Sequence, residues 1–185
     1  RRRGPQGWGD GRPAGWVACE GYCGRGGGDG FALARKSGAT VVCIFELALC
    51  CQEKGVEKVS GMNKGGSQTI AGVEFRMVHA VHSSGTSGTG GDENPPSDPC
   101  GFVMTFPDGF TIYHAGDTNV FSDMALIGAL YRPDLALLPI GHFYTMGPPE
   151  AATARALLGA PRALPMPWGT PPSPTAPPRP PPADP

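Results

Sequence analysis

The middle of the chain has the hydrophobic patterning of alternating helices and strands. Thr40-Val-Val-Cys-Ile-Phe45 is a continuous apolar and largely β-branched run, which predicts a buried strand. Phe31 to Lys36 has the pattern of the end of a helix before it, and Glu46 to Lys54 that of a helix after it, with Gly55 at the C-terminal cap position. This alternation predicts a layered α/β architecture.

Two β-hairpins are predicted downstream. Ser67 to Ile70 pairs with Val73 to Val81, and Gly101 to Phe106 pairs with Phe110 to His114 across a Pro-Asp-Gly turn. A Gly/Ser-rich loop of seventeen residues, Ser83 to Pro99, separates the hairpins. Loops of this length are usually active-site lids or disordered. The remaining predicted elements are a helix capped by Ser122 and running to about Tyr131, a buried strand from Leu135 to Leu138, and a helix from Pro148 to Leu158.

Both ends of the chain lack this patterning. Residues 1–30 are glycine-rich and show neither the strand nor the helix period, so we interpret them as disordered or non-native. Residues 165–185 are proline-rich and are expected to be extended or disordered. The predicted domain therefore covers residues 31–164.

Length and charge exclude several classes of protein. The 185 residues fit one domain, and a net charge of −1 gives no electrostatic case for binding nucleic acid or an anionic membrane. No apolar run reaches the length of a transmembrane helix, so a cytoplasmic protein is expected. We interpret the cysteines as buried free thiols, because Cys43 lies in an apolar strand and Cys50-Cys51 in a predicted helix. Cys19 and Cys23 have no second pair at zinc-finger spacing, which argues against a structural zinc site.

Three candidate functional side chains follow predicted strands. His82 comes after the strand that begins at Val73, Asp117 after Thr111 to Tyr113, and His142 after Leu135 to Leu138. Side chains held at strand ends are frequent in ligand and catalytic sites. The plainer alternatives are a surface histidine at position 82 and a turn-capping aspartate at position 117. His79 and His114 are interpreted as structural.

Three long motifs resemble the metallo-β-lactamase superfamily. They are Val78-His-Ala-Val-His-Ser-Ser84, Thr111-Ile-Tyr-His-Ala-Gly-Asp-Thr118 and Leu138-Pro-Ile-Gly-His-Phe-Tyr-Thr-Met-Gly-Pro148. They are most similar to an uncharacterised branch of metal-dependent hydrolases related to ascorbate-6-phosphate lactonase. The resemblance covers about residues 31–159.

This resemblance implies a fold, a cofactor and a chemistry. The fold would be an αββα sandwich, here incomplete at the N-terminus, with a divalent metal site of zinc or manganese at one edge of the sheets. His82 and Asp117 match metal ligands of the family, Asp117 being the bridging carboxylate, and His142 lies in the loop that lines the pocket. A metal-activated water would attack an ester, lactone or phosphate bond of a small-molecule substrate.

The chain departs from the family pattern at both ends. It contains no His-x-His, so the His-x-His-x-Asp-His motif of the family is missing. The last family histidine falls in Pro165-Met-Pro-Trp-Gly-Thr170, where Pro167 replaces it. Because catalytic zinc normally has three protein ligands, His82 and Asp117 alone are expected to bind metal weakly.

We therefore expect a metal-dependent hydrolase by resemblance, impaired in metal binding and catalysis. The alternatives are a non-catalytic remnant or binding module of the same fold, and a chain that folds unstably because strands are missing. The abrupt loss of pattern at both ends also fits a truncated gene or a shifted reading frame. A homo-oligomer stays open.

Overall fold

The structure is a computed structural model, and it describes residues 16–18, 28–83 and 98–166. The elements run in the order β1 (Trp16–Ala18), α1 (Gly28–Ser37), β2 (Thr40–Ile44), α2 (Phe45–Glu53), β3 (Val59–Met62), β4 (Ser67–Ile70), β5 (Val73–His79), β6 (Cys100–Thr105), β7 (Thr111–His114), α3 (Met124–Tyr131), β8 (Leu135–Pro139), α4 (Pro148–Leu158) and β9 (Arg162–Met166).

These strands form two sheets. The first is parallel, in the order β1-β2-β3, and the second is mixed, in the order β4-β5-β6-β7-β8-β9. In the second sheet β5, β7, β8 and β9 run in one direction, because β6 is antiparallel to both β5 and β7, while β7, β8 and β9 pair in parallel. The carboxyl ends of these four strands therefore lie along one edge, which we call the C-terminal edge.

Two hydrophobic cores define the layers. One joins the buried sides of α1 and α2 to strand β2 and to one face of the second sheet, including Phe75, Met77 and Phe102. The other packs α3 and α4 against the opposite face, where Val78, Val103 and Tyr113 point. Alternation along β5 explains the division, since successive side chains of a strand face opposite ways. The αββα order expected from the sequence is confirmed.

The predicted hairpins and helices are present, with bounds that differ from the predicted ones by a few residues except in α4. Both predicted hairpins are antiparallel pairs, and α4 matches its predicted range. The predicted cap of α3 is wrong: the N-cap residue is Asp123, without a side-chain cap hydrogen bond, and the Ser122 hydroxyl donates to the Asp123 carboxylate instead. Strand β5 ends at His79 rather than at Val81, so His82 lies in the following segment and not on the strand.

Three short strands were not predicted. They are β1 inside the segment expected to lack structure, β3, and β9, which crosses the expected boundary at residue 164. Strand β9 lies at the sheet edge and contains Pro165, which is compatible with an edge position because one side of such a strand needs no partner. The division into three segments otherwise stays a prediction, since residues 1–15, 19–27 and 167–185, like the loop residues 84–97, lie outside the described residues.

The described cysteines are buried. Cys43, Cys51 and Cys100 form no disulfide, as expected, whereas Cys50 is disulfide-bonded, so the expectation of a free thiol is wrong there. A hydrogen bond from the Cys43 side chain lowers the pKa of the Cys51 thiol below its ordinary value, and burial acts in the opposite direction. These side chains belong to the hydrophobic core that includes one face of the second sheet, and Cys100, which pairs with His79, lies at the C-terminal edge.

Candidate functional site

The segments that carry the three candidate residues meet at the C-terminal edge. Strands β5, β7 and β8 all end there, and His82, Asp117 and His142 follow them in that order. Hydrogen bonds join the first two segments: the Val81 amide donates to Thr118 Oγ1 at 2.9 Å, and the Asn119 amide donates to the Val81 carbonyl at 2.9 Å. The topology thus brings the three predicted residues to one edge of the sheet.

His82 is half-buried, and both of its ring nitrogens face backbone carbonyl oxygens. Nδ1 lies 2.7 Å from the carbonyl oxygen of Ser83, and Nε2 lies 3.2 Å from that of Tyr144, in the loop after β8. A carbonyl oxygen only accepts hydrogen bonds, and an imidazole with a single N–H donates to one of the two oxygens. Each ring nitrogen therefore has a backbone carbonyl oxygen beside it where a metal ion bound to that nitrogen would lie.

Asp117 is exposed and stands in a tight turn after β7. Gly116 before it has a φ of 68°, in the left-handed region that favours glycine, and its amide donates to His114 Nδ1 at 3.3 Å. Thr118 after it is fully buried. The backbone around Asp117 is therefore fixed on both sides, while the carboxylate is presented at the surface.

His142 is exposed in a loop with a strained backbone. Its φ is 71°, which is uncommon for a residue other than glycine, and its amide donates to the Met146 carbonyl at 3.2 Å. Its ring lies against Gly147, since a Cβ built on Gly147 would stand 3.3 Å from His142 Cε1. His142 is therefore a candidate residue with a strained backbone, and residues with strained backbones are frequent in functional sites.

Two aromatic side chains extend from the same loop. Phe143 and Tyr144 are 57% and 68% exposed, and their rings pack edge to face with centroids 4.6 Å apart. The Tyr144 carbonyl is the one that contacts His82. The loop therefore places exposed apolar surface beside the candidate residues.

A polar cluster at the same edge was missed by the sequence interpretation. Lys64, in the turn between β3 and β4, contacts His79 at the end of β5 and Asp98 before β6. The His79 ring packs against Phe121, in the segment that carries Asp117, with centroids 5.4 Å apart. No sequence signal connects these residues, because separate turns bring them together.

The described residues do not fit a two-metal centre. Within residues 16–18, 28–83 and 98–166 no group of three or more His, Cys, Asp or Glu side chains is arranged to hold a metal ion. The chain has only four histidines, all of them described, and none forms a His-x-His pair. Together with the two carbonyl contacts of His82, the donor set falls short of the family pattern.

The comparisons with known proteins settle the family. Residues 39–168 match the family described as the beta-lactamase superfamily domain. The chain belongs to this family. A superfamily of this kind was expected from the three motifs, and the match covers most of the described residues and all three candidates.

The relatives within this superfamily are metal-dependent hydrolases by name. The chain is 47% identical over 144 residues to a UPF0173 metal-dependent hydrolase of Koribacter versatilis, which covers 77% of this chain and 61% of the relative. It is 50% identical over 145 residues to one of Solibacter usitatus, again covering 77% of this chain and 61% of the relative. The chain thus spans less than two thirds of the length of these relatives.

A solved structure supports the same fold. The chain is similar, at 32% identity and a TM-score of 0.67, to Igni18, a metallo hydrolase from Ignicoccus hospitalis, over 82% of this chain and 62% of that one. The superfamily and the fold are confirmed, and the closer relation to ascorbate-6-phosphate lactonase stays a prediction. Among the helices described here, none has the length and apolarity needed to cross a membrane.

Proposed function

We propose that this chain is an impaired metal-dependent hydrolase that binds a small-molecule substrate at the C-terminal edge. The names of its relatives support hydrolase chemistry and a divalent metal. The motifs that resemble the lactonase branch favour an ester, lactone or phosphate bond as the target. One observation carries the impairment: the described residues offer His82 and Asp117, without a third donor arranged beside them.

We propose Asp117 and His82 as the metal-binding pair and Asp117 and His142 as the catalytic residues. Imidazole and carboxylate suit zinc or manganese, but catalytic zinc normally has three protein ligands. A metal ion at His82 would also require the ring to release a carbonyl oxygen, at Ser83 or Tyr144. Both features predict weak metal binding. A cytoplasmic location and the absence of nucleic-acid binding remain predictions from composition.

Hydrolysis at controlled metal concentration tests this function. The purified chain is incubated with three substrates: p-nitrophenyl acetate, a γ-lactone and p-nitrophenyl phosphate. Each is assayed with a chelator, without added metal, and with increasing zinc or manganese. We expect slow hydrolysis of at least one substrate that rises with metal and is lost in Asp117→Ala. Glu57→Ala, at an exposed carboxylate away from this edge, is the control. A rate of hydrolysis that depends neither on the metal concentration nor on Asp117 would contradict the proposal.

A non-catalytic binding module is the second candidate, and the His82 contacts favour it. A backbone carbonyl oxygen lies beside each ring nitrogen, so contacts within the protein join the segments after β5 and β8 at this edge. A folded chain that binds small molecules at this edge, but shows no hydrolysis at any metal concentration, would establish this candidate instead.

A further inference from the structure

Helix α3 has an exposed side that is as apolar as its buried side. None of its eight residues is charged. Met124 and Ile127 lie in the hydrophobic core beneath α3 and α4. The exposed residues, which we call the α3 face, are all alanine or leucine: Ala125, Leu126, Ala129 and Leu130. A surface helix normally carries polar residues on its outer side, and a helix that is apolar all round is normally buried. The α3 face is therefore expected to be covered by a partner.

An open groove lies beside the α3 face. It has a volume of about 520 Å³ and separates α3 from α4. Its lining includes Ala125 and Ala129 on one side and Leu157 and Pro161 on the other. Leu126 and Leu130, next to this groove, are 58% and 61% exposed. A surface that combines projecting side chains with an adjoining groove can be complementary to a second copy of itself across a twofold axis.

Opposite charges stand at the two ends of the α3 face. Asp123 is the N-cap residue of α3, Arg132 is the C-cap residue, and both are exposed. Neither side chain forms an ion pair with another residue that the structure describes. The midpoint between these two positions falls between residues 127 and 128, and this is also the midpoint of the α3 face. The charges are thus placed symmetrically about its centre.

We propose that the chain forms a homodimer in which the α3 helices of two copies pack antiparallel through the α3 face. A twofold axis between residues 127 and 128 brings Asp123 of each copy to the end where Arg132 of the other copy lies, so two ion pairs form. It also brings Leu126 of one copy level with Ala129 of the other, beside the groove. A parallel arrangement would instead bring the two Asp123 carboxylates together, and like charges at an interface repel.

The size of the surface predicts a weak dimer. At 1.5 Å per residue α3 and α4 are only about 12 and 16 Å long. Two such helices offer less than the roughly 800 Å² per partner of a standard interface, so we expect a dissociation constant of tens of micromolar. At lower concentration the chain is then a monomer, and unfolding measured there reports on the monomer alone. The dimer needs neither metal nor substrate and is independent of the function proposed above.

Sedimentation velocity of the full chain with chelator present tests the dimer. We expect a monomer well below the dissociation constant and a dimer well above it. Leu130→Asp would bury two carboxylates in the interface and should weaken the dimer about tenfold or more. Leu33→Asp, at a leucine of α1 that is 53% exposed, is the matched control and should leave the dissociation constant unchanged.

Charge reversal tests the antiparallel direction. Asp123→Arg and Arg132→Asp should each weaken the dimer several-fold, because each places like charges opposite one another. The variant with both substitutions exchanges the charges and should regain most of the lost affinity. An equal mixture of the two single variants should form heterodimers, which shows that both remain folded. A chain that is monomeric at every concentration, a dimer that Leu130→Asp leaves intact, or a double variant that dimerises no better than the single ones would overturn the proposal.

Discussion

The His82 imidazole and the Tyr144 backbone carbonyl meet across the ends of β5 and β8, with Nε2 and the carbonyl oxygen 3.2 Å apart. This contact ties the segment after β5 to the loop that carries His142. It also occupies the nitrogen that would otherwise be available to a metal ion, since Nδ1 faces the Ser83 carbonyl. The edge of the sheet is thus held by protein contacts at His82, a residue that we predict and propose as a metal ligand.

Thr118 is predicted to hold the segments after β5 and β7 together. It is fully buried, its hydroxyl accepts from the Val81 amide at 2.9 Å, and it donates to the Asn119 carbonyl at 2.8 Å. Thr118→Val keeps the shape but leaves these groups unpaired, so we expect a loss of roughly 1–3 kcal/mol in the free energy of unfolding. Urea denaturation measures this loss.

Hydrogen exchange at the Val81 amide provides the control for this prediction. Thr118→Ser keeps the hydroxyl, so the amide should stay protected, whereas in Thr118→Val its exchange should accelerate. Equal protection of the Val81 amide in both variants would show that Thr118 does not join these segments.

Gly128 is predicted to be required for the packing of α3 against α4. A Cβ at this position would lie 2.4 Å from the Leu158 carbonyl oxygen and 2.6 Å from its carbonyl carbon, which are backbone atoms that cannot move aside cheaply. Gly128→Ala should therefore lower the free energy of unfolding by about 1–3 kcal/mol, although alanine favours a helix. Leu126→Ala, at an exposed position of the same helix, should change it by less than about 0.5 kcal/mol. A more stable Gly128→Ala variant would show that the helices are not in close contact there.

The strained backbone of His142 gives a third prediction. With φ at 71°, His142→Gly should be more stable than His142→Ala by roughly 1 kcal/mol, because only glycine adopts this conformation without strain. Thermal or urea unfolding compares the two variants, which both lack the imidazole.

Arg132 is the matched control for His142. It ends α3 with φ at 46° and lies away from the C-terminal edge, so Arg132→Gly and Arg132→Ala should differ in the same direction. If His142→Ala proves as stable as His142→Gly while the Arg132 pair differs as expected, the strain at His142 is absent in solution.

The sequence predicted the elements whose own pattern is strong. Strand β2 is a continuous apolar run, the two hairpins have clear turn residues, and α4 has proline at its start and glycine at its exit. Strands β3 and β9 were missed because their side chains are mostly exposed or half-buried. Their pairing with β2 and β8 stabilises them, and local patterning does not reveal such pairing.

The candidate site could be predicted only in part. His82, Asp117 and His142 were predicted because each follows a strand, and the parallel direction of β5, β7 and β8 brings them to one edge. The contact between Lys64 and His79 joins residues 15 positions apart through the turn after β3, a strand that was not predicted. Likewise, nothing in the sequence indicates that Tyr144 offers its carbonyl to His82.

The metal content of the purified chain tests the central claim of impaired metal binding most directly. The chain is loaded with zinc or manganese, passed through gel filtration at low free metal, and measured by mass spectrometry beside Asp117→Ala. We expect much less than one equivalent of metal per chain, because a His–Asp pair is an incomplete ligand set. About two equivalents per chain, the content of a two-metal hydrolase, lost in Asp117→Ala, would contradict the account and show that other groups complete the site.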